Sequence, residues 1–309
     1  AVANAHHIEP LVEKTLPVEK SALVIGGGIA GMTAALSIAD QGFTVHLVEK
    51  EKRLGGNVNN IFITVEGLDA QQFLHDTVRK VMDHPHIRVH TDSEVIDFEG
   101  SRGNFLTEIM TDGRPPEEIS HSVTILATGA SELRPNGLYL FGEDERVMTQ
   151  LQLEVVLNDG TLAEVGTCVM IQCVGSRNDQ RQYCSRVCCL TALKNAMAMK
   201  KKWPKAEIVI MFRDMMSYGF SEKYYKTARR MGIRFIRFSQ NNGPAVEKKN
   251  DGLYVRCFDT ALGETTGVLA DRLVLSSAMI PNTTADIAGI FKLPRTRDGF
   301  FHEAHMKLK

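Results

Sequence analysis

Four of the six cysteines in this 309-residue chain fall in one short stretch, QCVGSRNDQRQYCSRVCC, where Cys173, Cys184, Cys188 and Cys189 close or follow the apolar run TCVMIQ. An apolar run of that kind reads as a strand, and the first strand of a nucleotide-binding unit normally feeds a glycine loop. Here it feeds thiols. Four thiolates in the order C-x10-C-x3-C-C are a sufficient ligand set for a 4Fe-4S cluster or for zinc. Two other readings stay open on these residues. Cys184 with Cys188, or the vicinal pair Cys188 and Cys189, could form a redox disulfide, although C-x-x-C is absent. Small thiols also pack as core. Cys173 ends its strand, where ligands collect in open α/β sheets. Cys184 and Cys188 share a helical face if the helix starts near residue 185. Arg177, Arg181, Arg186 and the helix N-terminus would offset thiolate charge.

A second group of residues is built for phosphate. VIGGGIAG places Gly26, Gly28 and Gly31 in the order G-x-G-x-x-G, with Ile29 and Ala30 between the last two. The first glycine permits the tight turn, the second lets a pyrophosphate approach the backbone, and the third lets helix and strand pack closely. Glu49, followed by Lys50, ends the next strand at about the 20-residue separation expected of an acid that binds a ribose hydroxyl. Its charge repels a 2'-phosphate, which leaves NAD or FAD.

The elements that must position these groups follow from periodicity. Strand 21–25, helix 29–41 and strand 43–48 make one βαβ opening. A helix at 69–83, strands near 87–98 and 104–111, and SVTILATGA at 122–130 close the first unit. Pro135, Gly137 and Gly142 mark a crossing loop. The grammar then repeats: strand 167–175, helix 185–202, strand 206–212, helix 221–232, strand IRFIRF, and a last apolar strand at 271–279. Strands alternating with helices imply parallel sheets covered on both faces, an α/β class with two Rossmann-like dinucleotide-type domains. The second lacks a glycine cradle, since only Gly175 survives in CVGSRN, so nicotinamide binding in the usual pose is not expected there. Arg213, at the end of the following strand, is either a phosphate reader or an ordinary strand-end arginine.

Composition excludes several function classes. A net charge of −1 gives no field for nucleic acid, and Lys200 to Lys202 read as a helix C-terminus. Residues 21–39 carry no charge, but their glycines suit a strand, turn and buried helix better than a membrane span. The first twenty residues lack an apolar run, so no secretory signal is expected. Cysteines gathered in one motif favour a reducing compartment, here the cytoplasm. His6 with His7, and His84 with His86, read as terminal and loop residues and not as metal ligands; Tyr218, Tyr224 and Tyr225 read as packing or partner-facing residues.

Glu49, the pair Gly55-Gly56 in EKEKRLGG, and ILATGA at 125–130 resemble the two-domain flavoproteins of the thioredoxin reductase-like group. The resemblance implies FAD in the first domain. It places Gly55, Gly56 and Asn57 near the flavin or its pyrophosphate, Val95 near the adenine, and Ala127, Thr128 and Gly129 beside the cofactor. A flavin domain next door favours iron-sulfur over zinc, because it supplies an electron to carry. CVGSR with YCSRVCC, RVMTQLQLE (146–154), RDMMSYG (213–219) and LVLSSAMIPN (273–282) resemble the A-type flavoprotein of heterodisulfide reductase from about residue 8 onward.

That family implies a 4Fe-4S cluster on Cys173, Cys184, Cys188 and Cys189; electron transfer between flavin and cluster then needs no side chain acting as acid, base or nucleophile. It implies other subunits of a reductase complex and ferredoxin-like carriers as partners; a homodimer is a further expectation. On this reading residues 1–150, joined by 282–309, are the FAD-binding domain, and 151–281 carry the cysteines. Many family members insert a cysteine-bearing segment after the glycine pair, where this chain continues NVNNIFITVEGLDAQQF, and the closing strand of the flavin pocket is not reached. The chain therefore reads as a fragment, truncated at its C-terminus. Two rivals remain: an NAD(P)H-dependent thiol-disulfide reductase, and a non-catalytic subunit with structural zinc.

Overall fold

A computed structural model describes residues 17–282 and 285–302; His6 and His7 lie outside them. Contacts divide the chain into two compact units, residues 1–53 with 81–127 and residues 54–80 with 128–309. Compared with a first domain of residues 1–150 joined by 282–309, this gives 54–80, 128–150 and 282–309 to the second unit.

The first unit opens with strand β1 (Ser21–Ile25), helix α1 (Ile29–Ala39) and strand β2 (Thr44–Val48), as the periodicity predicts. After helix α2 (Ala70–Met82), whose residues are shared between the units, come β3 (Ile87–His90), β4 (Ser93–Ser101), β5 (Asn104–Thr111), β6 (Glu117–His121) and β7 (Val123–Leu126). The single strand expected over 87–98 is two, because Asp92 adopts a left-handed turn at φ 50° between them. Strand β6 has no counterpart among the expected elements. The parallel sheet runs β3-β2-β1-β7, and β4-β5-β6 form a separate antiparallel sheet. All five residues of β1 are buried, which is why its sequence is continuously apolar and not alternating.

On β2, buried His46 places Nδ1 3.1 Å from Nε2 of His90. Burial chiefly, with the charges of His90, Arg88 and His121, pushes His46 down to about 4. An unfolded imidazole titrates near 6.5. Between those values the unfolded chain takes up a proton that the folded chain refuses, so stability falls as pH drops from about 6.5 to 4. Urea titrations at pH 7 and 4.5 should show wild type losing about 1–2 kcal/mol more than His46→Asn across that interval.

The second unit begins, after residues 54–80, with β8 (Ala130–Glu132), β9 (Val147–Thr149) and helix α3 (Gln150–Asn158). Then follow β10 (Thr167–Val174), α4 (Cys188–Lys202), β11 (Glu207–Phe212), α5 (Glu222–Arg230) and β12 (Arg234–Arg237). Three antiparallel strands, β13 (Ala245–Lys248), β14 (Leu253–Asp259) and β15 (Glu264–Ala270), precede β16 (Arg272–Ser277), β17 (Met279–Pro281) and α6 (Ala285–Ile290).

The main sheet of this unit is parallel throughout, in the order β12-β11-β10-β16-β9. One face buries Val169 and Ile171 of β10 with Leu273 and Leu275 of β16 against the antiparallel layer; the other buries Cys168, Met170 and Val274 against the helices. Periodicity alone predicts no helix at α3. It is started by a capping box in which the Thr149 hydroxyl accepts from the Gln152 N–H and the Gln152 side chain accepts from the Thr149 N–H. The chain leaves β10 through α4 to β11 on one side and later returns to β16 on the other. The carboxyl end of β10 is therefore a topological switch point, where open α/β sheets bind ligands.

Candidate functional site

The glycine loop of the first unit has the shape its sequence demands. Gly26 takes φ 111° and donates its N–H to the carbonyl of Val48. A Cβ on Gly31 would lie 1.8 Å from the Gly26 carbonyl oxygen, so helix α1 meets the loop at a distance only glycine permits. Gly28 faces open space, with nothing within 4 Å of where its Cβ would stand, and Ile29 and Ala30 begin α1. Buried Glu49 sends its carboxylate back onto this loop, accepting from the Gly27 N–H at 2.5 Å and from Glu51 N–H at 2.9 Å. Lys50 is exposed, Val95 is buried on β4, and the Ala127 N–H bonds the carbonyl of Ile25. Loop, helix terminus and acid thus meet the requirements of a dinucleotide cradle.

In the second unit, Gly55 (φ 119°) and Gly56 (φ 52°) turn the chain into a short 3-10 segment, Gly56–Asn60. Asn57 Nδ2 donates to the carbonyl of Ala130 at 2.6 Å, and Asn282 Nδ2 donates to the carbonyl of Thr128 at 2.6 Å. These two amides hold Thr128-Gly129-Ala130, with Gly129 at φ 71°, from either side. Asn282 is not among the residues that sequence reasoning singles out. Its signal lies in the run that ends LVLSSAMIPN, which places an amide directly after β17.

A buried ion pair underlies the same unit. Lys194 Nζ of α4 bonds Glu154 of α3 at 2.6 and 2.7 Å and the carbonyl of Ile63 at 3.0 Å, while Glu154 also accepts from the Phe62 N–H. Sequence reasoning misses this pair as well, because neither charge stands out in a chain where charged residues are common on helices.

At the cysteine junction the backbone is irregular. Strand β10 shifts register between Ile171 and Val174, and Cys173 takes φ 62°, with Arg177 (55°) and Arg186 (64°) also left-handed. Helix α4 begins at Cys188, three residues later than the sequence suggests, so Cys184 is a loop residue and shares no helical face with Cys188. The physical reason is Ser185. Its hydroxyl accepts from the Met279 N–H at 2.9 Å and does not cap the helix. Cys184 Sγ accepts from the Arg186 N–H, and the Cys189 thiol points at the carbonyl of Asp214.

The thiols sense one another. Cys188 donates to Cys189, which pushes Cys188 well above the ordinary thiol range and holds Cys189 below it; charges at Cys173 and Cys184 also raise Cys188. Burial, then the charge of Cys189, raises Cys173, whereas the Arg177 guanidinium favours the anionic form of both Cys173 and Cys189. Arg177 is fixed by Asp214 at 2.6 Å, which Arg237 also binds. Arg213 turns to the carbonyl of Arg177 and to Gln240, which is the strand-end role and not that of a free phosphate reader. By contrast Cys168 and Cys257 are core, pushed by burial to about 12 and about 11.

All six cysteines are free thiols. Among the described residues no three or more His, Cys, Asp or Glu side chains stand in an arrangement that would hold a metal ion. The junction gathers four sulfur donors, the type that iron-sulfur clusters and zinc take, on one strand end and on the loop and first helical turn that follow it. Among the described residues, no helix is long and apolar enough to cross a membrane.

The family described as NAD(P)-binding Rossmann-like domain matches residues 24–85. A protein of Methanopyrus kandleri, named as the first of its A-type iron-sulfur subunits of CoB--CoM heterodisulfide reductase, is 31% identical over 416 aligned positions, covering 100% of this chain and 61% of its own length. The Methanocaldococcus jannaschii protein named as the A-type iron-sulfur subunit of the same reductase gives the same identity and coverages. The chain thus spans 61% of the length of these relatives, and their alignments also contain segments that it lacks. In three dimensions it is similar to T. acidophilum thioredoxin reductase, with a TM-score of 0.62 at 15% identity over 92% of this chain and 84% of that one. Lactococcus lactis thioredoxin reductase gives a TM-score of 0.62 at 18% identity, over 93% and 86%. These likenesses show a thioredoxin reductase-like fold of two Rossmann-like units. By sequence, over its whole length, the chain is homologous to proteins named as A-type heterodisulfide reductase subunits.

Proposed function

We propose that this chain is an FAD-dependent electron-transfer component of a heterodisulfide reductase-like complex, an oxidoreductase that links flavin to a 4Fe-4S cluster. The observation that carries the reading is the contrast between two equivalent junctions. One strand-helix turn keeps Gly26, Gly28 and Gly31, while the other, at a switch point, bears Cys173, Cys184, Cys188 and Cys189. Bound flavin supplies exchange between electron pairs and single electrons, and a cluster carries electrons singly.

The chain's own residues bind and orient. The backbone of Gly26, Gly28, Ile29, Ala30 and Gly31 is assigned to the pyrophosphate, with the positive end of α1 beneath it. Glu49 is assigned to the ribose, with Lys50 beside it and Val95 toward the adenine. Gly55, Gly56, Asn57, Ala127, Thr128 and Gly129 are assigned to the remainder of the cofactor, and the asparagine brace on Thr128-Gly129-Ala130 keeps that backbone in place. The four cysteines are assigned as cluster ligands. Residues 1–150 and 282–309 are proposed as the flavin part and 151–281 as the cluster part. The partners are proposed to be other subunits of the complex and ferredoxin-like carriers, in the cytoplasm.

Gly31→Ala should lower flavin retention at least tenfold, because its methyl group displaces the Gly26 carbonyl and opens the loop. Flavin fluorescence released from the purified, still-folded variant checks this. The reading as a whole is tested by anaerobic purification with flavin and iron analysis and electron paramagnetic resonance. Flavin and iron together, with a reducible cluster signal, support it. Flavin without iron and with a titratable disulfide would instead identify a thiol-disulfide reductase, and stoichiometric zinc without flavin a structural component.

A further inference from the structure

Strand β10 carries one amide in an otherwise apolar run. Gln172 is only 1% exposed, and neither its Nε2 nor its Oε1 has a hydrogen-bond partner. Leaving a buried polar group unpaired costs about 1–3 kcal/mol, so leucine or methionine would serve the bare fold better. Strand alternation puts Gln172 on the face of Cys168 and Met170, which α4 covers. A crossover helix runs back along its sheet, so the first turn of α4, with Cys188 and Cys189, stands over the end of β10 that holds Gln172 and Cys173.

Other polar side chains on this face are already engaged with each other. Gln150 bonds Ser276 and the sulfur of Met170, and Asn195 bonds Gln150. A second unpartnered donor lies at the same junction: Arg177 Nη1 is buried and unbonded, while Nη2 is held by Asp214. Two spare N–H donors, one on the strand that carries Cys173 and one on Arg177, suit an anionic sulfur-rich ligand.

We propose that Gln172 donates a hydrogen bond from its amide to a sulfur of the cluster, making it a positioning residue that raises the cluster's reduction potential. The proposal rests on the cluster reading above. An N–H donor stabilises the negative charge that a single added electron places on sulfur, so its removal favours the oxidised form.

In anaerobically reconstituted protein, Gln172→Leu should bind as much iron as wild type. Its one-electron reduction, followed by electron paramagnetic resonance during a redox titration, should be about tenfold less favourable, a midpoint about 59 mV lower. The iron-free variant should melt no lower than iron-free wild type. Gln172→Met gives the same comparison if the branched side chain fails to fold. A midpoint that matches wild type, or equal destabilisation with and without iron, would overturn the donor role while leaving the cluster in place. Wild type that takes up no iron would overturn the cluster reading itself.

Discussion

Replacing Cys189 with serine should reduce the iron held by anaerobically reconstituted protein from about four per chain to less than one. Thiolate is the soft donor that iron-sulfur clusters select; a serine hydroxyl is harder, less acidic and reaches less far. Cys189 is the strongest candidate for the effect, because Cys188 and the Arg177 guanidinium both favour its anionic form. Cys257→Ala, in the core at the opposite face of the sheet, is the control and should leave iron unchanged. Iron content and the cluster absorbance are the measurements. Unchanged iron in Cys189→Ser would remove this residue from the ligand set, leaving three cysteines and an outside donor.

The second large effect is on stability. Lys194→Met should lower the unfolding free energy by about 3–5 kcal/mol, since it strands the Glu154 carboxylate in a buried site. Thermal denaturation should show a fall in Tm on the order of 10 °C. Adding Glu154→Gln should recover a good part of the loss. The amide carries no charge and can still accept from the Phe62 N–H, which Glu154 accepts at 2.9 Å. A double variant no more stable than the single one would mean that the lost contact to the Ile63 carbonyl, and not the stranded charge, dominates.

What the residues disclose on their own is local. The charge-free run 21–39 specifies strand, turn and helix within a few residues of each other, and β1 and α1 follow it closely. The start of α4 escapes such reasoning because the competing bond of Ser185 reaches Met279, 94 residues away. Asn282 pins Thr128 from a separation of 154 residues, and no periodicity encodes such a contact. Helix α3, only nine residues long, offers too few turns for its pattern to stand out beside the strand that precedes it. Gln172 is the instructive omission. A single amide inside TCVMIQCV is visible in the sequence, and only its burial without a partner shows that it is unusual.

The placement of Cys188 and Cys189 as the first two residues of α4 has a consequence for how the pair sheds protons. Because Cys188 donates to Cys189, the first proton leaves the pair readily and the second is held tightly. The two adjacent thiols thus behave as one acid and not as two.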